Sequence, residues 1–447
     1  MPPDLLSYEQ AASLIAENAR AISESRRPSI ERIDLAAAPG RILATPLLAD
    51  DDQPPFPRST RDGYACRADE LSAHVPLPIA GSTRAGQPPA SPLPPSSAWE
   101  IMTGAPVPSG ADCVVMLEHV EESGNTIQLS ASRTIAQGDN IVSRGAQSRR
   151  GDQILSAGFA LGPAQIALAA SCGYSTVEVF RRPRVAILTT GDELVPVDAT
   201  PGPGQIRNSN APMLAALVAR CGADPLILPT AADSPEALDA ALAQAATADL
   251  LLISGGVSAG THDLVEPALA RRGAQFHFTG VKIQPGKPLV FGQIPQSAES
   301  QKQDKKHQGK TSVVPTSAHT DERASASRSN SIPFFGLPGN PISSAATFLL
   351  FAAPILAALS GSRETHPRFV LAQLARDTDR KAKPGLTRFL PALCTFNRSA
   401  NALPQVATIP WHGSGDLTAF AQSNCFLVIP EDAAHLDAGS TVRILLH

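Results

Sequence analysis

The first regular pattern of hydrophobic and polar positions is an amphipathic stretch near the start of the chain. Ser7-Tyr-Glu-Gln10 matches a capping box, in which a Ser side chain and a Gln side chain three residues later bond backbone N–H groups at a helix start. Leu14, Ile15 and Ile22 follow at helical spacing and share one face. The pattern predicts a helix that buries this face.

Between residues 50 and 140 the pattern changes to short apolar runs interrupted by proline. Proline cannot donate to a β-ladder, so this texture is typical of short strands and tight turns. Residues 114–120 and 126–129 are predicted to pair around the turn Ser123-Gly-Asn125. We expect a small β-rich module here.

The helical period returns at residues 163–171, and from Arg184 onward apolar runs alternate with helix-period segments. The predicted strands are residues 185–188, 226–228 and 250–253; the predicted helices are residues 212–220, capped by Ser209 or Asn210, and the segment opened by Ser234-Pro235. Strands and helices alternating at these lengths imply a parallel sheet covered on both faces. The middle of the chain is therefore predicted to be a doubly wound α/β domain.

Two further segments complete the pattern. Residues 296–331 are rich in Ser, Lys and Gln and predict a disordered insertion, because they have too little apolar surface to offset the entropy of ordering. The apolar runs 288–292 and 333–337 flank it, as in a surface hairpin with a long loop. After a predicted helix at residues 341–359, the chain from about residue 368 is β-patterned and predicts a small separate β domain.

Composition adds bounds on the class of protein. The chain has 447 residues, 43% of them hydrophobic and 17% charged, which suits a soluble globular protein with about two to four cores. The net charge of −4 argues against a nucleic-acid or polybasic membrane partner. The six cysteines contain no C-x-x-C pair, which argues against a zinc ribbon or a disulfide scaffold and favours a reducing compartment.

The chain is not predicted to enter a membrane. Its first ten residues lack the basic and apolar regions of a signal peptide. The longest apolar run, residues 345–359, contains Pro354 and is short for a membrane span. We expect a cytoplasmic protein.

Small and acidic residues follow two of the predicted parallel strands. The strand at residues 250–253 leads into Ser254-Gly-Gly-Val-Ser258 and reaches Asp263, and the strand at residues 185–188 leads to Asp192 and Glu193. Ligands of open parallel sheets bind beyond the carboxyl ends of the strands, where glycines let backbone N–H groups approach an anion. The carboxylates suit Mg²⁺ or catalysis, and equally an ordinary capping role.

Three later loops carry polar groups that suit an anionic or heteroaromatic ligand, although capping and solvated lysines explain some of them as well. Their candidate residues are Arg207, Ser209, Asn210, Lys282, Lys287, Asn340, Pro341 and Ser343. Two earlier turns, Arg58-Ser-Thr-Arg-Asp-Gly-Tyr-Ala65 and Ile101-Met-Thr-Gly-Ala-Pro106, expose Asp62 and Thr103. Taken alone, each of these two motifs is explained by residues that favour a turn and does not require a functional role.

Gly256-Val-Ser-Ala-Gly260 also matches the nucleophile elbow of serine hydrolases, with Ser258 as nucleophile. The match follows a strand, as the elbow requires. However, Gly255 and Gly256 already end that strand, and the chain has no HGGG-type oxyanion loop. The hydrolase is kept as a rival hypothesis.

Taken together, seven segments in order resemble the MoeA/gephyrin E-domain family of molybdopterin molybdenumtransferases. They are Asp62-Gly-Tyr-Ala, Ile101-Met-Thr-Gly-Ala, Thr190-Gly-Asp-Glu-Leu, Gly204-Gln-Ile-Arg-Asn-Ser-Asn, Ser254-Gly-Gly-Val-Ser with Asp263, Pro285-Gly-Lys-Pro and Gly336-Leu-Pro-Gly-Asn-Pro. The resemblance covers nearly the whole chain except residues 296–331, and it is thinnest in the last domain.

The resemblance implies a multidomain α/β and β fold. The expected parts are a discontinuous N-terminal domain (1–50 and 141–182), a β-rich lobe (51–140), a MogA-like α/β domain (183–365) and a C-terminal β-barrel (366–447). It further implies a homodimer in which the α/β domain of one subunit faces the N-terminal lobe of the other. Such an arrangement would bring Asp62 and Thr103 to a site otherwise built from residues 190–344.

The implied reaction inserts molybdate into adenylyl-molybdopterin, with Mg²⁺-dependent cleavage of the adenylate. Asp192, Glu193 and Asp263 are the candidate metal ligands, and Glu193, Asp263, Asp62 and Thr103 the candidate catalytic residues. Substrate binding is assigned to Arg207, Ser209, Asn210, Ser254, Gly255, Gly256, Ser258, Lys282, Lys287, Asn340, Pro341 and Ser343. A transient contact with a molybdopterin adenylyltransferase is also expected.

The chain departs from the family pattern at three positions. Arg61 stands where the family usually has Met, and Val142 and Gln147 stand where it commonly has Arg and Asp. These changes remove an ion pair, or alter molybdate handling, or mark a weakened paralogue. A dimeric scaffold and a molybdopterin adenylyltransferase are the alternative functions, and the choice between molybdate and tungstate stays open.

Overall fold

The computed structural model describes residues 5–26, 28–89, 91–256, 264–295, 331–378, 385–396 and 402–447. Ser258, Asp263 and all but the last residue of the predicted insertion lie outside these ranges. The chain divides into two compact units. The first, here the sheet unit, is Met1–Glu31, Gly40–Ala44 and Glu178–His447, and the second, the lobe unit, is Arg32–Pro39 and Thr45–Val177.

The predicted N-terminal helix is confirmed as α1 (Tyr8–Ser25), followed by β1 (Ile30–Asp34). The capping box is present: Gln10 N–H donates to Ser7 Oγ over 3.2 Å, and Ser7 N–H donates to Gln10 Oε1 over 2.9 Å. The side chain of Ile15 is buried, and Leu14 and Ile22 pack partly buried against the same core. The spacing read from the sequence therefore identifies the buried face.

The lobe unit is built on a six-stranded sheet of order β7-β4-β6-β5-β9-β8, in which only β5 and β6 are parallel. Its elements are β2 (Leu47–Leu48), β3 (Arg58–Ser59), β4 (Gly63–Cys66), α2 (Ala68–Ser72), β5 (Leu77–Thr83), β6 (Ala98–Ile101), β7 (Cys113–Met116), β8 (Val120–Ser123), β9 (Thr126–Leu129), β10 (Ile141–Val142), β11 (Gln153–Leu155) and α3 (Pro163–Ser171).

One predicted strand pairing in this sheet is wrong in part. Only β8 pairs with β9 around the turn after Ser123, whereas β7 pairs with β4 at the other end of the sheet. A 3₁₀ turn at Leu117–His119 divides the apolar run and redirects the chain. Side chains of β7 are mostly buried and those of β8 are mostly exposed. The segment predicted as one strand therefore forms parts of two strands that differ in burial.

The sheet unit contains the predicted α/β domain. Strand β12 (Thr176–Phe180) pairs with β1 and crosses the boundary between the two units. The elements of the α/β domain in chain order are β13 (Arg184–Thr189), β14 (Leu194–Val195), β15 (Ile206–Arg207), α4 (Asn210–Arg220), β16 (Asp224–Ile227), α5 (Pro235–Gln244), β17 (Leu250–Ser254), α6 (Val265–Arg271), β18 (Gln275–Phe278), β19 (Ile283–Gln284), β20 (Val290–Pro295), β21 (Ser331–Leu337), α7 (Pro341–Thr347) and α8 (Ala353–Leu359).

The sheet order is β16-β13-β17-β21-β20-β18. The first four strands are parallel, β20 pairs antiparallel with β21, and β18 pairs antiparallel with β20. Val185 and Ile187 face one buried cluster, while Ala186 and Leu188 face another. This alternation means that both faces are covered, which confirms the doubly wound prediction. The runs flanking the insertion pair as β20 and β21, as the sequence predicted.

The helix predicted at residues 341–359 is confirmed, and it extends four residues before the apolar run 345–359. Its 19 residues would suffice for a membrane span by length and composition, but nearly all of them are buried inside the protein. A π-helical turn at Phe348–Ala352 joins α7 to α8. Pro354 cannot donate a backbone hydrogen bond to the preceding turn, which explains the wider turn there. The segment is a core helix of the α/β domain.

The last predicted domain is confirmed as a β-barrel. Its elements are β22 (Phe369–Leu374), β23 (Thr387–Thr395), β24 (Gln405–Thr408), α9 (Leu417–Gln422), β25 (Cys425–Ile429) and β26 (Thr441–Leu446). The order β23-β24-β22-β26-β25 is closed by pairing of β25 with β23. Parallel pairing of β19 with β23 joins the barrel to the turn that carries Lys282 and Lys287.

Candidate functional site

Three parallel strands of the sheet unit end side by side. Thr189 is the register partner of Ser254, and Ser254 is the partner of Leu337. The loops that follow β13, β17 and β21 therefore leave the sheet at one edge, where open α/β sheets bind ligands. We call this the sheet-edge site.

The loop after β17 is held so closely that only glycine fits. Gly255 has φ +98°, and a Cβ there would lie 2.6 Å from the carbonyl oxygen of Thr190. Gly256 has φ +64°, and a Cβ there would lie 2.7 Å from a Val265 methyl. The Gly255 N–H donates to the Leu337 carbonyl over 3.2 Å. The two glycines therefore let the backbone of this loop pack directly beside the loops that follow β13 and β21.

Asn210 ties these loops together. Its amide nitrogen donates to Ser254 Oγ over 2.8 Å and to the Gly339 carbonyl over 2.6 Å. Because a carbonyl only accepts, the amide nitrogen must face Gly339, and Oδ1 points away. This Oδ1 and the hydroxyl of Thr190 are buried without a hydrogen-bond partner among the described residues. The Ser254 hydroxyl is bonded inside the protein, so it positions the loop.

The start of α4 differs from the prediction. Ser209 occupies the N-cap position but makes no side-chain capping bond. Asn208 caps the helix instead: its Oδ1 accepts from Ala211 N–H over 3.1 Å, and its amide nitrogen donates to Thr189 Oγ1 over 2.8 Å. The hydrogen bond to Thr189 on β13 holds the Asn208 side chain in the position from which it caps α4. Sequence reasoning missed Asn208 and Thr190, although both lie inside quoted motifs.

The two described carboxylates lie beside this edge and are exposed. Asp192 Oδ1 accepts the Asp233 N–H over 3.1 Å. The Glu193 side chain folds back over Gly191, where a Cβ would lie 2.5 Å from Glu193 Oε2. Among the described residues no three His, Cys, Asp or Glu side chains form a group that could hold a metal. The third predicted ligand, Asp263, lies outside the described ranges.

The basic residues lie on two different elements. The exposed Arg207 on β15 donates from Nε to the Ala199 carbonyl over 3.0 Å. Lys282 and Lys287 stand at the ends of a turn closed by a bond of 3.1 Å from Val281 N–H to the Lys287 carbonyl. A Cβ on Gly286 within this turn would lie 2.6 Å from a Thr347 methyl, so the turn packs directly on α7. Lys287 is exposed and Lys282 half-buried.

The start of α7 is covered by a barrel loop. Asn340 is the N-cap by position but makes no side-chain capping bond. The Ile342 N–H donates to the Ser414 carbonyl over 3.0 Å. Pro341 is half-buried and Ser343 is buried. The glycines flanking Ser414 were the available sequence signal for this loop, and sequence reasoning passed over them.

Asp62 and Thr103 are brought together in the lobe unit. The Thr103 N–H and hydroxyl both donate to Asp62 Oδ1, over 2.6 Å and 2.7 Å. The backbone bond first, and the hydroxyl bond second, hold the pKa of the Asp62 carboxyl below its ordinary value. The stabilisation from these bonds is present at neutral pH and is lost as the pH falls through this lowered pKa. Asp62 is thus an exposed, fixed carboxylate.

Three family profiles match successive parts of the chain. Family profiles match at residues 6–173 (MoeA N-terminal region, domains I and II), 186–358 (probable molybdopterin binding domain) and 372–447 (MoeA C-terminal region, domain IV). A molybdopterin molybdenumtransferase of Nostoc sp. is 34% identical, with 93% of this chain and 88% of that protein covered. One from Haemophilus influenzae is 30% identical over 98% of both.

Among solved structures, a molybdopterin biosynthesis MoeA protein from Pyrococcus horikoshii OT3 aligns with a TM-score of 0.75 at 26% identity, covering 99% of this chain and 100% of that one. A second MoeA structure from the same species aligns with a TM-score of 0.66 at 29% identity, covering 96% and 98%. The similarity therefore extends over all the parts of the fold described above.

Proposed function

The chain belongs to the molybdopterin molybdenumtransferase family and is an enzyme of molybdenum cofactor biosynthesis; on this premise we propose that it inserts molybdate into adenylyl-molybdopterin, with cleavage of the adenylate and release of AMP. The observation that carries the proposal is the meeting of three strand ends beside two exposed carboxylates, Asp192 and Glu193. A phosphoanhydride substrate needs fixed donors and hard oxygen ligands in one place.

The walls of the sheet-edge site suit the two ends of such a substrate. Gly256 offers a backbone group, and Gly255, whose N–H is bonded to the Leu337 carbonyl, holds the loop in place. Arg207, Lys282 and Lys287 are proposed as cations for phosphate and molybdate oxygens. Asn210 Oδ1 only accepts, so it favours an N–H group, as on the pterin ring, over an anion. Ser209, Ser254, Ser258, Asn340, Pro341 and Ser343 complete the proposed substrate contacts, with Ser254 acting through the loop that it holds.

Two of the three proposed Mg²⁺ ligands lie among the described residues. Asp192 and Glu193 supply the carboxylate oxygens that this ion prefers, and Asp263 is proposed as the third ligand. The ion, when bound, would neutralise charge on the phosphates of the substrate. Glu193 is proposed to orient the attacking oxygen through its carboxylate. A water oxygen forms a bond to the adenylate phosphorus as the bond from that phosphorus to the bridging oxygen breaks. AMP leaves with the new oxygen, and the bridging oxygen stays on the molybdopterin phosphate.

We expect Glu193→Gln to slow AMP release at least about tenfold, because an amide is neutral and a poor ligand for a divalent cation. The measurement is AMP release from adenylyl-molybdopterin on addition of molybdate and Mg²⁺. Glu178→Gln, on β12 outside the site, is the matched control. Full activity of Glu193→Gln would remove Glu193 from the mechanism, and no AMP from the wild type would favour the scaffold function. A fluorophosphonate that labelled Ser258 would favour the hydrolase.

We further propose a cytoplasmic homodimer in which Asp62 and Thr103 of the partner subunit complete the sheet-edge site. The support is that these two residues belong to a different compact unit from Glu193. Transient contact with a molybdopterin adenylyltransferase would supply the adenylylated substrate.

This arrangement predicts complementation between two inactive variants. Mixing Asp62→Asn and Glu193→Gln subunits gives heterodimers that carry one intact site, so that about a quarter of wild-type AMP release returns on random assembly of a two-fold dimer. Each variant alone is the control. Activity that stays at the level of the separate variants after subunit exchange would place both residues in the site of a single subunit, or in no common site.

A further inference from the structure

The sheet of the lobe unit carries a second group of polar side chains, at the edge formed by β9 and β8. This edge is the opposite one from β7 and β4. A cavity of about 250 Å³ lies there and is lined by His74, Glu121, Gln128, Leu129 and Ala131. None of these residues has a place in the proposed reaction, and none belongs to the seven family motifs.

The imidazole of His74 is held by a backbone carbonyl. Its Nδ1 lies 3.1 Å from the Leu129 carbonyl oxygen. Because a carbonyl only accepts, Nδ1 must carry the proton. In the neutral ring the other nitrogen, Nε2, then has a lone pair, which is the form that binds a metal. A backbone carbonyl on the second ring nitrogen is also the usual partner of a metal-bound histidine.

The turn after α2 holds this ring in place. His74 follows the C-cap of α2, and its N–H donates to the Leu71 carbonyl over 3.1 Å. Its φ of +54° is a left-handed conformation, which is unfavourable for a residue with a Cβ. The ring bond to Leu129 offsets this cost, as does a bond of 2.7 Å from the Gln128 amide nitrogen to the His74 carbonyl. The turn is therefore fixed against β9.

Gln128 and Glu121 add two oxygen ligands to the same cavity. They are register partners on β9 and β8, so their side chains lie on one face of the sheet. Since the amide nitrogen of Gln128 donates to the His74 carbonyl, its Oε1 remains as an acceptor. Glu121 is exposed and makes no ion pair with a described residue. The lining thus combines an imidazole, a carboxylate and an amide oxygen.

This mixed ligand set favours a particular class of ion. Imidazole suits Zn²⁺ and similar transition-metal ions, whereas Mg²⁺ and Ca²⁺ prefer oxygen ligands. Where Zn²⁺ has three protein ligands, a water molecule commonly takes the fourth tetrahedral position. The cavity of about 250 Å³ is larger than one ion and has room for this water. Only two of the three side chains are His, Cys, Asp or Glu, so Gln128 completes the set.

We propose that this cavity is a zinc site, in which His74, Glu121 and Gln128 hold one Zn²⁺ ion and tie the turn after α2 to β9 and β8. The site does not depend on the molybdenum-inserting reaction or on a second subunit, because all three residues belong to the lobe unit. A bound ion stabilises the folded lobe unit, since the unfolded chain does not bring these ligands together.

The first test measures Zn²⁺ binding through the stability of the lobe unit. In the full chain with Trp411→Phe, the fluorescence of the buried Trp99 follows urea denaturation of this unit. Zn²⁺ is expected to raise the denaturation midpoint, and the dependence of the midpoint on Zn²⁺ concentration gives the affinity. Glu121→Gln and His74→Asn are each expected to weaken binding at least about tenfold. Asn is chosen because it tolerates a left-handed backbone and lacks the imidazole.

Chemical modification of histidine locates the ion independently. Diethyl pyrocarbonate reacts with an imidazole nitrogen that has a free lone pair, so Zn²⁺ is expected to lower modification of His74 at least about fivefold, as measured by mass spectrometry. His119 lies in the same unit but does not line the cavity, so its modification should not change. Glu118→Gln, likewise outside the lining, is the charge-matched control for Glu121→Gln.

Loss of the midpoint shift in both variants, together with protection of His74, supports the site. An equal midpoint shift in His74→Asn and its parent, or unchanged modification of His74 in Zn²⁺, overturns it. A larger midpoint shift with Mg²⁺ or Ca²⁺ than with Zn²⁺ overturns the assignment of the ion. These measurements do not involve AMP release, so failure of the zinc site and failure of the proposed function are distinguishable.

Discussion

Gly255→Ala is expected to lower AMP release at least about 100-fold, because a shift of about 1 Å in a catalytic loop has an effect of this order. The new Cβ would lie 2.6 Å from the backbone oxygen of Thr190 and 3.1 Å from its hydroxyl. Neither group can yield easily, since Thr190 N–H is itself bonded to the Ser254 carbonyl over 3.1 Å. Relief therefore requires β17 and β13 to separate where both loops begin.

The φ of +98° adds backbone strain, so we also expect a loss of about 2–4 kcal/mol in the free energy of unfolding. AMP release and urea denaturation of the same preparation provide the two measurements. Gly439→Ala is the control: its φ is +85°, but no atom lies within 4 Å of the added Cβ, so it carries strain without a collision. If Gly255→Ala behaves like Gly439→Ala in both measurements, the close approach of the two loops is not required.

Gly63→Ala is expected to destabilise the lobe unit by about 3 kcal/mol. Gly63 opens β4, which lies between β7 and β6, and its Cβ would stand 1.9 Å from the Val115 carbonyl oxygen and 2.8 Å from its carbon. Val115 lies on the neighbouring strand, so a collision with its backbone is relieved only if β4 and β7 move apart. The adjoining Asp62 would then lose its fixed place beside Thr103.

The two tryptophans allow this change to be followed in one unit. Trp99 is buried in the lobe unit, where its Nε1 donates to Thr83 Oγ1 over 2.7 Å, and Trp411 belongs to the sheet unit. In a Trp411→Phe background, fluorescence during urea denaturation reports on the lobe alone. Gly124→Ala is the control: its φ is +63° and no atom lies within 4 Å of the added Cβ, so it adds backbone strain without a collision. Equal denaturation midpoints for the two variants would contradict the expected collision.

Local patterns in the sequence predicted most of the elements correctly, for reasons visible in particular residues. The capping box at Ser7 and the spacing of Ile15 identify α1, because a helix repeats its contacts every three or four residues. The apolar run of β17 identifies a buried strand, because both of its faces are covered. The resemblance to a known family likewise depends on short motifs, each complete within a few residues.

The wrong predictions have two causes. In one case a single run of residues forms two strands in different parts of a sheet, and in the other a residue other than the expected one caps a helix. Residues 114–120 were predicted as one strand, but Glu118 and His119 interrupt the apolar run, and β7 and β8 lie at opposite ends of a sheet. Ser209 and Asn210 both have capping side chains, but the tie from Asn208 to Thr189 selects a third residue. Propensity ranks residues for a role and contains no information about partners brought from elsewhere in the chain.

The sequence by itself shows which residues belong to the sheet-edge site. Only the folded structure shows how those residues contact one another. Glu193, Arg207 and Asn210 can be identified from sequence motifs, because binding a metal, a phosphate or a pterin requires particular side chains. They do not show that Asn210 bonds Ser254, 44 residues away, and Gly339, 129 residues away. That meeting depends on β13, β17 and β21 lying side by side. Contacts of this kind are set by packing of whole elements, so they exist only once the sheet has formed.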